Sequence, residues 1–272
     1  MTCWMIDAYD IMNEYGSDPK RDDDLNRWRG DLNHNDFRHW KRALNSLDPM
    51  EIQSMLDDHH LSPELSCTYH NRYNRTRWRR AEDLINKHTS MNDLVVDIGA
   101  GSHASVVDNM LRKYPRRKYI ICDLVSPLLL AYYNLSKSGH NVRYIREDDV
   151  SFDSLNPLDL IHKYDCLLLP HHMCDALYHV PPHTTFYNSY SFSEMSTDEV
   201  EQYMDIIGTS QGVLISENYW ARNDMTCHLC DEPVMPIHHM LPYGYTCKYN
   251  RQPHVRTNPG ASIVVYTPSN RA

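Results

Sequence analysis

Although 41% of its 272 residues are apolar, the sequence has no apolar run near the roughly 20 residues that a membrane helix needs. Its opening, Met1-Thr2-Cys3-Trp4-Met5-Ile6-Asp7, lacks the basic-then-apolar order of a secretory signal, and the expectation is a soluble cytoplasmic protein. There is no internal repeat and no low-complexity linker. An excess of positive charge is missing as well: 27 basic residues face 36 acidic ones, a formal charge of −9, which argues against a general nucleic-acid coat. The eight cysteines are scattered, and a chain this long without a secretory signal does not call for a disulfide framework. Cys122 and Cys166 lie inside apolar runs and read as small buried core residues.

What is present falls into two textures. Residues 1 to about 90 are polar, rich in Asp, Asn, Arg and Trp, and contain no convincing strand. Phe37 to Leu44 and Pro49 to Leu56 space their apolar residues as helices do, and Ser62-Pro63 looks like a capped helix start. This part is expected to form a helical cap or lid. Arg72, Arg75, Arg77, Arg79 and Arg80, interleaved with Tyr73 and Trp78, read either as the solvated face of a helix or as an anion patch.

From Leu94 onward, apolar β-rich runs alternate with helical ones. Strands are expected at 94–98, 119–123, 141–145, 164–169, 184–191, 212–216 and 261–266. Helices are expected from about Ser105 to Lys113, through Leu128 to Ser136, and from Glu199 to Ile207. This pattern predicts an α/β fold, a doubly wound, mostly parallel, seven-stranded Rossmann-like sheet over 91–272, with the last strand as an antiparallel edge. Which of the 164–169 and 184–191 runs is the sheet's fourth strand stays open. That choice decides whether Pro170-His171 faces the adenine or the substrate.

The loop Asp97-Ile98-Gly99-Ala100-Gly101-Ser102 leaves the first strand and enters a helix. Its two glycines let backbone approach a ligand closely, and the helix offers free amides. With Ala104 at the third position, the loop alone does not exclude a nicotinamide cofactor. Asp97 tips the balance, because a carboxylate before the glycines suits a cationic amino-acid ligand and repels a pyrophosphate. Asp123, at the end of the second strand and 26 residues later, is placed to take the ribose hydroxyls of an adenosine. Leu124 and Pro170 flank that position, and Asp148 or Asp149 after the third strand could meet the adenine amino group.

With these residues in view, the sequence resembles the class I S-adenosylmethionine-dependent methyltransferases. Val95 to Gly101 is similar to their first motif and Ile121-Cys122-Asp123-Leu124 to their second. Asp165 to Pro170, Asn188-Ser189-Tyr190-Ser191-Phe192-Ser193-Glu194-Met195 and Ser216-Glu217-Asn218 further resemble the sugar O-methyltransferase family, over about residues 94 to 220. The resemblance implies S-adenosylmethionine as cofactor and a sugar or glycoside hydroxyl as methyl acceptor. Transfer to a hydroxyl needs a base within hydrogen-bond reach. His172 or His171 is the expected base, with Glu194 and Asn188 orienting the substrate.

Two further expectations remain. Cys227-x-x-Cys230, His238 and Cys247, within a Cys/His-containing insertion at about 221–255, have the makings of a structural zinc site, against a plain loop of reduced thiols. The rival functions are an RNA (cap-type) methyltransferase, with Arg72 to Arg80 holding phosphates, and a non-catalytic methyltransferase-like module of a larger assembly.

Overall fold

A computed structural model of the chain describes residues 72–90, 93–101, 104–146, 157–219, 244–251 and 261–269. The helical segments expected before residue 72 lie outside these described residues, as do Asp148, Asp149, Cys227, Cys230 and His238.

The elements run in the order α1 (Arg72–His88), β1 (Leu94–Ile98), α2 (Ser105–Lys113), β2 (Lys118–Asp123), α3 (Val125–Lys137), β3 (Val142–Tyr144), α4 (Pro157–Ile161) and β4 (Cys166–Pro170). There follow a 3₁₀ segment (His171–His179), β5 (Thr185–Ser189), a short 3₁₀ turn (Ser191–Glu194), α5 (Thr197–Ser210), β6 (Val213–Tyr219), β7 (Tyr245–Arg251) and β8 (Ala261–Pro268). All strands join one eight-stranded sheet in the order β3-β4-β2-β1-β5-β6-β8-β7. The six strands from β3 to β6 are parallel, and β8 runs antiparallel to both its neighbours, β6 and β7.

Burial on both faces explains why β4 and most of β2 read as unbroken apolar runs, and β1 as one broken only by Asp97. On one face Val95, Tyr119, Ile121, Leu168, Tyr187 and Ile215 meet α1, α2 and α3. On the other, Val96, Ile98, Ile120, Leu169, Phe186 and Leu214 meet α4, the 3₁₀ segment and α5. The fold is therefore doubly wound α/β, Rossmann-like in its layers, as the sequence predicts.

Two expectations need correction. The sheet has eight strands, because Tyr245–Arg251, expected inside the insertion, pairs with β8. Its exposed Thr246 and Cys247 give no apolar alternation to read. For the same reason β8 is not the edge. Helix α1 also packs into the sheet's own core through Ala81, Leu84 and Ile85. Beyond its end, the Thr89 hydroxyl lies 2.9 Å from that of Thr185 at the start of β5. No described helix is long and apolar enough to cross a membrane.

Candidate functional site

In an open parallel sheet, ligands sit outside the carboxyl ends of the strands where the chain order reverses. Here that point lies around β1, whose neighbours β2 and β5 lead away in opposite directions. The strand register settles which segment faces which half of the crevice. Pro170 of β4 stands opposite Asp123 of β2, whereas Asn188 of β5 stands opposite Ile98 of β1. Pro170-His171 thus lies on the Asp123 side of β1 and the Asn188-to-Ser191 segment on the other side.

The glycine loop is built for close approach. Gly99 (φ +71°) and Gly101 (φ +70°) adopt left-handed backbone. A Cβ on Gly99 would overlap the side chain of Ser191, so this glycine seats the β5 loop on the β1 loop. A Cβ on Gly101 would meet nothing within 4 Å, so open space lies above it. Ala100 is partly buried beside the core. Ala104, fully buried, begins α2 in the left-handed conformation (φ +45°) that a third glycine would take without strain.

Asp123 is fixed by backbone amides. The Gly101 N–H donates to its Oδ2 and the Leu124 N–H to its Oδ1, each at 2.7 Å. A carboxylate has about four lone-pair sites, so two stay available for a diol, and the side chain is half-buried. Burial pushes its pKa up to about 6, and the two amides and His171 pull the other way. Asp97 is buried within β1, on the same sheet face as Asp123 by strand alternation. The donor set fits S-adenosylmethionine: a carboxylate at the end of β1 for an ammonium, a held carboxylate for a ribose, and open space over a glycine.

Across β1, the Asn188 side chain is fully buried and bonded on both sides. Its Nδ2 donates to the Ile98 carbonyl at 2.8 Å and to Ser191 Oγ, while its Oδ1 accepts from Asn218 Nδ2 at 2.7 Å. Ser191 Oγ also donates to the Ile98 carbonyl at 3.0 Å. Asn188 therefore splices β1, β5 and β6 together. Tyr190 holds a left-handed turn (φ +68°) closed by its N–H on the Glu217 carbonyl at 2.7 Å. Glu217, buried at the end of β6, accepts from Ser189 Oγ at 3.3 Å. By alternation it shares the sheet face of Asp97 and Asp123.

The motif Ser191-Phe192-Ser193-Glu194-Met195 acquires physical content here. Ser191 packs on Gly99, and Phe192 is fully buried against Tyr203 of α5. Glu194 closes the 3₁₀ turn on the β5 side. Met195 leads into Ser196, which caps α5 reciprocally with Glu199.

The two histidines expected as bases lie on the Asp123 side of β1. His171 contacts Tyr203 and Glu199 with its two ring nitrogens, at 2.8 and 3.1 Å. His172 is exposed at the start of the 3₁₀ segment. Both follow β4, three strands away from β5, roughly 14 Å by strand spacing. Cys247 is exposed on β7, and among the described residues no three His, Cys, Asp or Glu side chains gather to hold a metal. The buried polar residues Glu217, Glu199 and Tyr203 were not singled out as site residues from sequence. Glu217 was visible within Ser216-Glu217-Asn218, but only pairing with β5 shows its neighbours.

Neither a protein-family model nor a curated relative matches the sequence. Solved structures similar to the chain include MtNAS in complex with MTA and tNA, at 11% identity over 96% of this chain and 85% of that one, with a TM-score of 0.46. The mitomycin 7-O-methyltransferase MmcR is similar at 11% identity, over 84% of this chain and 68% of that one, with a TM-score of 0.44. M. capricolum TrmK with S-adenosylhomocysteine is similar at 12% identity, over 71% and 68% of the two chains, with a TM-score of 0.41.

Proposed function

We propose that the chain is an S-adenosylmethionine-dependent methyltransferase acting on a hydroxyl oxygen of a sugar or glycoside. The observation that carries the cofactor reading is the Gly101–Asp123 pairing: a loop amide holds a strand-end carboxylate beneath open space, beside buried Asp97. When bound, the cofactor supplies an electrophilic methyl group on a sulfonium. Gly99, Ala100 and Gly101 would line the methionyl end with Asp97. Asp123, Leu124 and Pro170 would hold the adenosine.

The acceptor belongs on the β5–β6 side. Glu194, in the turn after β5, is assigned to the acceptor's other hydroxyls. The proton of the reacting hydroxyl is assigned to Glu217, held by Ser189 on the face that carries Asp97. His171 and His172, the bases expected from sequence, follow β4 on the Asp123 side of β1, and Asn188 shapes the site from beneath. The sugar assignment rests on the resemblance around Ser191 to Met195.

Calorimetry with S-adenosylmethionine and S-adenosylhomocysteine tests the reading, with Asp123→Ala as control. Micromolar binding abolished by the substitution supports it, whereas a folded wild type that binds neither refutes it. The alternative acceptor is RNA, with the arginine-rich stretch Arg72 to Arg80 holding its phosphates. RNA binding that falls steeply with salt would favour that reading over a sugar.

A further inference from the structure

The Asn188 side chain has donors at one end and an acceptor at the other, and the fold uses both. Its Nδ2 donates to the Ile98 carbonyl at 2.8 Å and to Ser191 Oγ. Its Oδ1 accepts from Asn218 Nδ2 at 2.7 Å and from the Phe192 N–H at 3.4 Å. Only a primary amide of this size serves both ends. A carboxylate would set an oxygen against the Ile98 carbonyl, and an apolar side chain would leave both ends unpaired. Asn188 is fully buried, and strand alternation puts it on the sheet face opposite Asp97, Asp123 and Glu217. Its route to the crevice therefore runs through backbone.

The carbonyl it holds opens the glycine loop. A peptide unit is planar, so the carbonyl of Ile98 and the N–H of Gly99 are fixed together. The carbonyl is held from β5 by Asn188 and from the following turn by Ser191 Oγ, the latter at 3.0 Å. The Gly99 N–H donates to the Cys122 carbonyl of β2 at 2.8 Å. Two residues on, the Gly101 N–H donates to the Asp123 carboxylate. The peptide before left-handed Gly99 is thus clamped from both strands that flank β1. We propose that Asn188 is a positioning residue for the cofactor: by holding the Ile98 carbonyl it fixes the path from Gly99 to Gly101 and, through Gly101, the set of the Asp123 carboxylate. This rests on the methyltransferase reading and extends it by giving a buried residue of the acceptor-side strand a task in cofactor binding.

The test pairs S-adenosylhomocysteine calorimetry with amide hydrogen exchange in the ligand-free protein, for wild type and Asn188→Asp from pH 6 to 8.5. The substitution keeps the size and the acceptor end and removes the donor facing Ile98. At pH 8.5 it should weaken binding about tenfold, the worth of one buried hydrogen bond, and speed exchange at Gly99 and Gly101. Burial raises the pKa of the introduced carboxyl, and its protonated form can donate to Ile98 again. Its neighbours Ile98, Ser191, Phe192 and Asn218 carry no charge to oppose this. The loss relative to wild type should therefore shrink as pH falls. Ser191→Ala removes the second donor to Ile98 and should act in the same direction, which keeps the test open should the first variant fold poorly. Val200→Ala, at a fully buried position of α5, lowers stability without touching the clamp and should bind as wild type does. Wild-type affinity and exchange in the Asn188 and Ser191 variants, a loss that ignores pH, or an equal loss in Val200→Ala overturns the proposal. Faster Gly99 and Gly101 exchange in the variants of a wild type that binds no S-adenosylhomocysteine overturns the methyltransferase reading and leaves the clamp standing.

Discussion

Replacing Gly99 with alanine perturbs two separate features, and a companion substitution tells them apart. At φ +71° an L-residue carries a left-handed penalty of about 1–2 kcal/mol. The new Cβ would also overlap Ser191, and overpacking of this kind costs about 1–3 kcal/mol. Gly99→Ala should therefore destabilise by about 2–5 kcal/mol, an appreciable part of a domain's stability. Ser191→Gly removes the overlapping atoms, together with the hydrogen bond to Ile98 and the one accepted from Asn188, each worth about 1 kcal/mol. The double variant should recover the overlap and keep the left-handed penalty, giving a coupling of about 1–3 kcal/mol in a double-mutant cycle. Urea unfolding of the four proteins at constant m-value measures it. Additive effects would mean that the β5 loop is not seated on Gly99, and would refute the account of why serine opens the Ser191-to-Met195 motif.

Other outcomes follow from the same geometry. Burial raises Asp123 from 3.8 to about 6, so folding favours its protonated form, a preference on the order of 3 kcal/mol. That contribution is complete below about pH 3.8 and is lost as pH rises through about 6. Asp123→Asn should flatten this part of the stability–pH profile measured by denaturant titration, and an unchanged profile would contradict it. Ala104→Gly relieves a left-handed penalty of about 1–2 kcal/mol and gives up one buried methyl worth about 0.8 kcal/mol. Its melting temperature should hold or rise by a few degrees, and a large fall would show that the loop needs the methyl. With an acceptor in hand, Glu217→Gln should lower kcat about 10²- to 10⁴-fold and leave S-adenosylhomocysteine binding intact. Retained turnover would remove Glu217 as the base.

Much of this fold is legible from local sequence because the relevant signals are local. β1 and β2 are apolar runs, Gly99 and Gly101 mark the turn between β1 and α2, and Ser105–Lys113 has helical spacing. The choice between 164–169 and 184–191 was not legible, since two buried strands look alike and only pairing distinguishes them. That choice is what places His171 and His172 on the Asp123 side of β1. Likewise β7, with Thr246 and Cys247 exposed, gives no apolar alternation, and its partner β8 supplies the buried side. Glu199 reads as an ordinary capping residue of α5 until His171, 28 positions earlier in the chain, is seen against it. Side chains that bond across the fold leave no mark in periodicity.

Helix α1 has a practical meaning for dissecting the molecule. Ala81, Leu84 and Ile85 enter the core beneath the sheet, Asn86 accepts from Arg117 at 2.7 Å, and Thr89 meets Thr185. A break in the chain between His88 and Leu94 would cut the covalent link and leave these contacts in place. Burying the leucine and isoleucine alone contributes about 1.5–3 kcal/mol each. Two pieces divided there form a natural split pair, in which docking of the first rebuilds the second. Coupling each half to one of two partners would turn the assembled crevice into a reporter of their proximity.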